Sequence, residues 1–566
     1  MKKLCALLFI ICCGFTSLNA SYEITKDEML NYVDSVHALI QSRYAPAEWK
    51  QGYCQWNLAK EINKLKQTLN DEENLTVKSF QRQLRHFLYS MKDYHVNVCF
   101  FSTEASFLPF KAKKFGDRYF ITYVDKEKFS VFNEGDELVS FGGEDPEAVV
   151  GRLKHSSTPS AASESDQSLA EIWLTLRGAV IGHEVPNGPI TVTARDRNSG
   201  ELKSYQMIWT YRPEKVKDHL ISKPQSPVLP GCLDVEKMNR HRALPLAEYY
   251  SSAFSEQNDD SCTLDPNEMG AKRSFLPKLG SVEWETPDTA LIHAYIYQND
   301  DDKTVGYLRI PHFQLSPEEM EELAQIIPIM QETADVLVID QLNNPGGNLF
   351  TAYAIASMLT DVPLETPKEH LLLSQDDVLD AWFLLDTLNH VQSDDDAKSI
   401  LGDSFFGIPA NYQIAQFMKE YARFIIEQWK EGKIYSDLTY MYGIDHINPH
   451  PEIRFKKPIV LLINGLDFSC GDFFPAILKD NNRATLVGSR TAGAGGFVMP
   501  HFIANRMGVY CITLTGSLGI RSNGDPIENL GVGPHVVNEL TPADIQNNYQ
   551  DYIRTINEVV KEKGNL

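Results

Sequence analysis

The chain has 566 residues and carries 53 Lys and Arg against 76 Asp and Glu, a formal net charge of −23 at pH 7. Such an acidic balance argues against nucleic acid and anionic membrane surfaces as partners, because both would repel it. The length allows two or three domains, each with its own core.

The first twenty residues, MKKLCALLFIICCGFTSLNA, set Lys2 and Lys3 before an apolar run that ends in small residues near Ala20. This is the pattern of a secretory signal peptide, and the run is short for a membrane span. Removing it takes away two lysines and no acid, moving the net charge from −23 to −25. No later segment has spanning length, so the expectation is an exported, soluble protein. Cys5, Cys12 and Cys13 fall in this leader, leaving Cys54, Cys99, Cys232, Cys262, Cys470 and Cys511. They form no CxxC pair and do not bunch with histidine at zinc spacing, so neither a metal nor another cofactor is expected. Export would permit disulfides, but spacing does not choose among the possible pairings.

Residues 21–100 predict a helical layer, because MLNYVDSVHALIQSRY, LAKEINKLKQTL and FQRQLRHFLYSM repeat apolar residues three and four apart. It closes in SMKDYHVNVCFF, which puts His95 at a helix-to-strand boundary, a place where most histidines are simply surface or half-buried residues. From 101 to 212 the chain turns to short strands, and the Gly135-Asp136-Glu137-Leu138 and Phe141-Gly142-Gly143 pattern resembles a PDZ-like domain, which binds peptides at a sheet edge. Within it, Ser156–Ser168 predicts a polar, flexible loop. Residues 213–285 are rich in Pro, Ser, Asn and Asp and predict a linker, a place where proteolytic nicking concentrates.

From 286 to 566, strand-like segments such as DVLVIDQL and PIVLLING alternate with helical ones, which predicts an α/β domain with a mostly parallel sheet. DDVLDAWFLLDTLNHV and IAQFMKEYARFIIEQWKEG predict a helical insertion that covers the site or makes a subunit contact. In NGLDFSCGDFFPAI, Ser469 stands where a buried strand gives way to a helix. A hydroxyl there either caps the helix or acts as a nucleophile whose oxyanion is held by free N–H groups. The turn Asn343-Asn344-Pro345-Gly346-Gly347 follows a second strand; its glycines uncover backbone N–H groups, and the phosphate-binding GxxxxGK[ST] pattern is absent. LTGSLGIRSNGDPIENLGVGPH predicts a strand pair whose loop presents Glu528.

With these pieces the chain resembles the carboxy-terminal (tail-specific) processing peptidases. The match rests on Pro345-Gly346-Gly347, Ser469, Thr491-Ala492-Gly493-Ala494-Gly495 and Gly531-Val532-Gly533-Pro534, and spans most of the mature chain. It departs at Ala494, where the family's T-F-G-K-G motif supplies a lysine base. A serine without a base is a weak nucleophile, so the protein is inactive or uses another. KDYH ending at His95 and IENLGV around Glu528 resemble a secreted subgroup of the family with a serine, histidine and glutamate set.

That resemblance implies Ser469 as nucleophile, His95 as base and Glu528 as the group orienting it, with Cys470 and either Gly346 or Gly347 as backbone oxyanion donors. Cys470 is a rival nucleophile, and local sequence does not separate Glu528 from Asp467 or Asp472 as the orienting acid. The resemblance also implies a homodimer, protein substrates in a host cell and a precursor cut within 213–285. Two other readings keep the fold: a peptide-binding scaffold that has lost catalysis, and an envelope processing peptidase acting on protein tails.

Overall fold

A computed structural model describes residues 24–214, 265–402, 404–405 and 408–565. The expected leader, residues 1–20, and most of the 213–285 segment, including any cut within 215–264, lie outside the described residues.

The N-terminal layer forms from helices Lys26–Arg43, Ala47–Cys54, Leu58–Asp71 and Val77–Tyr89. Thr25 and Glu28 close a capping box at the first, which satisfies two otherwise orphaned N–H groups. The apolar stripes meet as periodicity predicts: Val33, Val36, Leu65, Leu69, Phe80, Leu84 and Leu88 share one core. That core is not closed by the layer itself. It includes Ile512 and Leu514 from the strand Val509–Thr515, against which the strand Asn97–Phe100 pairs antiparallel. Residues 24–100 and the strand Val509–Thr515 therefore share one core.

Next comes a five-stranded antiparallel sheet in the order Phe110–Phe115, Arg118–Val124, Glu137–Phe141, Pro189–Arg195, Leu202–Ile208, with helices Pro146–Ser157 and Ser163–Thr175 against it. The expected loop at 156–168 is therefore mostly helix. Small polar residues favour turns, but tertiary contacts override that preference: Ser165 and Asp166 are buried, and Asp166 accepts hydrogen bonds from Ala162 N–H and the Tyr94 hydroxyl.

The third region holds a seven-stranded sheet in the order Ser281–Glu285, Ala294–Gln298, Thr304–Arg309, Val336–Asp340, Ile459–Ile463, Thr485–Gly488, Val536–Val537. The first two pairings are antiparallel and the rest parallel. All five residues of Val336–Asp340 and of Ile459–Ile463 are buried, as strands covered on both faces must be. Helices Pro317–Thr333, Leu349–Ser357 and Cys470–Asp480 line one face, and Gln550–Lys563 lines the other.

Two sequence expectations change here. Ser281–Glu285 is an edge strand, and Leu276 and Leu279 are buried in the core under the sheet, so the end of the expected linker belongs to this domain. The strands on either side of Glu528, Ser517–Ile520 and Val536–Val537, do not pair with each other: the first joins Lys368–Leu371 and the second joins Thr485–Gly488 in another sheet. The insertion, Gln375–Leu388 and Tyr412–Lys430, packs Ala381, Leu388, Tyr421 and Ile425 into the domain core while leaving Leu379, Trp382 and Phe383 exposed.

Candidate active site

Central strands Val336–Asp340 and Ile459–Ile463 run parallel and side by side, so the turns after them emerge together at the C-terminal edge of the sheet. A buried polar network clips the two turns to each other. Asp467 accepts from Asn344 N–H at 3.0 Å, Asn464 N–H at 2.9 Å and Gln341 Nε2 at 3.0 Å. Asn464 Nδ2 donates to Asn343 Oδ1, and Phe468 N–H to the Asn344 carbonyl, each at 2.9 Å. Every oxygen of Asp467 is thus committed to turn geometry, and burial holds its carboxyl well above the usual range.

Ser469 sits between that network and the helix Cys470–Asp480, with φ 56° and ψ −114°. A residue with a Cβ rarely adopts this backbone, and holding it costs about 1–3 kcal/mol, the kind of strain found where a nucleophile is presented on a sharp strand-to-helix turn. The hydroxyl makes no capping hydrogen bond, so the capping alternative is not what this serine does. Neither Cys470 N–H nor Gly347 N–H has a hydrogen-bond partner among the described residues. Gly346 differs: its N–H is given to Asn344 Oδ1 at 2.8 Å. Gly347 has to be glycine, because its φ is 143° and a Cβ there would lie 2.4 Å from the Phe313 carbonyl carbon. The Cys470 thiol donates to the Gly347 carbonyl at 3.1 Å and is pushed by burial up to about 12, which leaves it protonated and a poor rival nucleophile.

His95 belongs to the N-terminal layer, and its turn packs against the serine turn. It lies in the turn between helix Val77–Tyr89 and strand Asn97–Phe100, held by Asp93 Oδ1, which accepts His95 N–H at 2.8 Å, and by Thr513 Oγ1, which donates to its carbonyl at 2.7 Å. The residues just before His95 and Ser469 touch: the Tyr94 and Phe468 rings meet edge-on at 5.0 Å, in one cluster with Ala492 and Ala494. The imidazole is buried with no hydrogen-bond partner on either nitrogen. Burial lowers it to about 4, with Lys50 adding to that effect and Asp93 opposing it, so it is neutral at pH 7 and able to accept a proton.

Glu528 is placed differently from the expected orienting acid, since no hydrogen bond joins it to His95. Its carboxyl accepts from Lys50 Nζ and, at 3.0 Å, from Gly495 N–H. Burial pushes it up to about 8, with Asp93 adding and Lys50 opposing. Asp472 is also occupied elsewhere: it takes Thr491 Oγ1 at 2.5 Å, Gly493 N–H at 2.8 Å and Ala494 N–H at 2.9 Å, which fixes the stretch where the family's lysine would stand.

The residue that sequence reasoning missed is Lys50. Its side chain is fully buried, and besides Glu528 it donates to the Lys92 carbonyl at 2.8 Å and to Asn529 Oδ1 at 2.7 Å. It therefore ties the turn that carries His95 to the loop that carries Glu528.

Comparison with known proteins agrees with this architecture. A PDZ domain model matches residues 104–216, and the model of peptidase family S41 matches 304–538. An uncharacterized protein of Chlamydia muridarum is 36% identical over 93% of this chain and 91% of its own length, and a protein of Chlamydia trachomatis serovar D is 35% identical over 92% and 90%. Among solved structures, mature CPAF (Chlamydia protease-like activity factor) superposes with a TM-score of 0.81 at 33% identity, covering 95% of this chain and 98% of that one. This chain belongs to peptidase family S41. It is a serine protease in which a PDZ domain precedes the catalytic α/β domain. No helix among the described residues is long and apolar enough to cross a membrane.

Proposed function

We propose that this S41 peptidase is an endopeptidase working through Ser469 and His95. The observation that supports the reading is the buried imidazole of His95, unpartnered on both nitrogens, in a turn that packs through Tyr94 on Phe468 beside a strained Ser469 flanked by the open N–H groups of Cys470 and Gly347. Ser469 Oγ attacks the substrate carbonyl while its proton passes to His95. The oxyanion is held by Cys470 and Gly347 N–H, with Gly346 shaping the turn rather than donating. His95 returns the proton to the leaving amine, and water then releases the acyl group by the same path reversed.

The positive charge that forms on His95 is supported by Asp93, while the opposing charge of Lys50 is held against Glu528, so the third member of the expected serine, histidine and glutamate set acts here through its neighbours. Export through the 1–20 leader, host-protein substrates, a self-cut within 213–285 and a homodimer are parts of the same proposal, supported by the resemblance to CPAF. The exposed Leu379, Trp382 and Phe383 offer the homodimer an apolar face.

Fluorophosphonate labelling and peptide hydrolysis of the wild type beside Ser469→Ala and His95→Ala test the mechanism. Both variants should lose labelling and turnover; full activity in either sinks that residue's role.

A further inference from the structure

The expectation that six cysteines pair in no determinable way changes once register is known. Cys99 on the strand Asn97–Phe100 and Cys511 on Val509–Thr515 are direct antiparallel partners, and both are buried thiols in this structure. The other two described cysteines are turned to separate acceptors, Cys54 to the Lys50 carbonyl at 3.3 Å and Cys470 to the Gly347 carbonyl at 3.1 Å.

We infer that Cys99 and Cys511 form an oxidation site, a cross-strand disulfide that a glutathione-type disulfide closes and a thiol reductant opens. Directly opposed residues in an antiparallel ladder have Cα atoms roughly 4.5–5.5 Å apart and side chains on one face, inside the roughly 4.4–6.8 Å that a disulfide spans. Closing the bond asks for side-chain rotation rather than movement of a strand. The register also shifts immediately after this pair, between Cys99 and Phe100, and such an irregularity lets the ladder adjust locally.

The exchange balances without another reagent. The Cys99 thiolate attacks the glutathione disulfide and one glutathione leaves as a thiol. The Cys511 thiolate then attacks the Cys99 sulfur of the mixed disulfide and the second glutathione leaves. Two electrons and two protons pass from the protein to two glutathione thiols.

The site matters because of what these strands hold. Cys511 lies two residues before Thr513, which bonds the His95 carbonyl, and four before Thr515, which donates to Asp93 Oδ2 at 2.8 Å. The disulfide is a staple between the layer that carries His95 and the domain that carries Ser469. It joins parts of the chain 511 − 99, or 412, residues apart. Bridging so long a loop restricts the unfolded chain strongly.

The test uses the full-length protein, reduced, desalted and incubated for hours with oxidised glutathione, then alkylated under denaturing conditions and mapped by mass spectrometry. The expected product is a linked pair of peptides carrying Cys99 and Cys511, two mass units lighter than the thiols and released by dithiothreitol. The oxidised protein should also melt several degrees higher than the reduced protein, a difference absent from the Cys99→Ala, Cys511→Ala double variant. Full alkylation of both cysteines after oxidation, their appearance only as glutathione adducts or in other pairs, or a link that leaves the melting temperature unmoved would overturn the inference. Because the mapping and melting do not use turnover, they are independent of the roles given to Ser469 and His95.

Discussion

Lys50→Met is the substitution whose consequences follow most directly from the geometry. Methionine keeps most of the side chain's volume in a helix, Ala47–Cys54, that tolerates it, but removes the bonds to Glu528, the Lys92 carbonyl and Asn529 Oδ1. Deleting one member of a fully buried ion pair costs about 3–5 kcal/mol when the other stays charged. Glu528 has an escape, because burial already holds its carboxyl at about 8 against Lys50's opposing effect, and loss of Lys50 moves it higher.

A raised carboxyl means that the folded state binds more protons than the unfolded one, so stability falls as pH rises from the unfolded value toward the folded one. Removing Lys50 extends that fall past about 8. The variant should therefore be modestly destabilised near pH 6, where Glu528 takes up a proton, and lose the larger part of about 3–5 kcal/mol near pH 9. Urea unfolding of both proteins at the two pH values, followed by far-ultraviolet circular dichroism, reads the difference. Turnover should drop with it, since Lys50 also holds the Lys92 carbonyl at the start of the histidine turn. A penalty below about 1 kcal/mol at both pH values, or one equal at both, would show that the Lys50–Glu528 contact does not couple the two regions.

The pH dependence of kcat/KM should stay flat well below pH 6 and lose activity only as His95 takes a proton near 4, whereas an unperturbed histidine would lose it near 6.5. Since the folded pKa is depressed, the matching stability term is present in full above about 6.5 and declines by about 1.4 kcal/mol per pH unit as pH falls toward 4, a slope that His95→Gln removes. Cys470→Ala should keep turnover within about threefold of wild type and cost about 1 kcal/mol of stability, because its backbone N–H survives and only a buried thiol is lost. An inactive Cys470→Ala protein beside an active Ser469→Ala one would make the thiol the nucleophile.

What could be read from the chain was local. Strand, turn and helix around Ser469 are written in KPIVLLIN and GDFFPAI, and the glycine turn and the boundary at His95 likewise sit in unbroken segments a few residues long. Lys50 gave no such signal, since its helix looks like any half-exposed amphipathic segment and its decisive partner, Glu528, is 478 residues away. The same limit explains Ser156–Ser168. Its composition favours turns, and the burial of Ser165 and Asp166, the latter bonded by Tyr94 72 residues back, is not written in it. The orienting acid was unreadable for a related reason: Asp467, Asp472 and Glu528 are all buried near the site, and only their hydrogen bonds show that the first two serve backbone turns.

The alanine at 494 asks whether the family's lysine was simply lost or whether the site was rebuilt around its absence. Ala494 is completely buried, in the cluster with Tyr94 and Phe468 that joins the histidine turn to the serine turn. Its N–H is fixed by Asp472, so the backbone cannot swing a longer side chain outward. A lysine introduced here would have to enter the closed cluster that also holds Tyr94, at about 1–3 kcal/mol for overpacking, and would bring an ammonium group out of water at several kcal/mol more. Restoring the family's base should therefore fail. Ala494→Lys in a His95→Ala background is expected to remain inactive toward peptides and to unfold at lower urea than His95→Ala alone. Recovery of even about a tenth of wild-type turnover with a normal unfolding midpoint would show that room for the lysine persists. Tyr94 packs on Phe468 in the same buried cluster as Ala494, so the alanine at 494 and the turn that carries His95 belong to one packing arrangement.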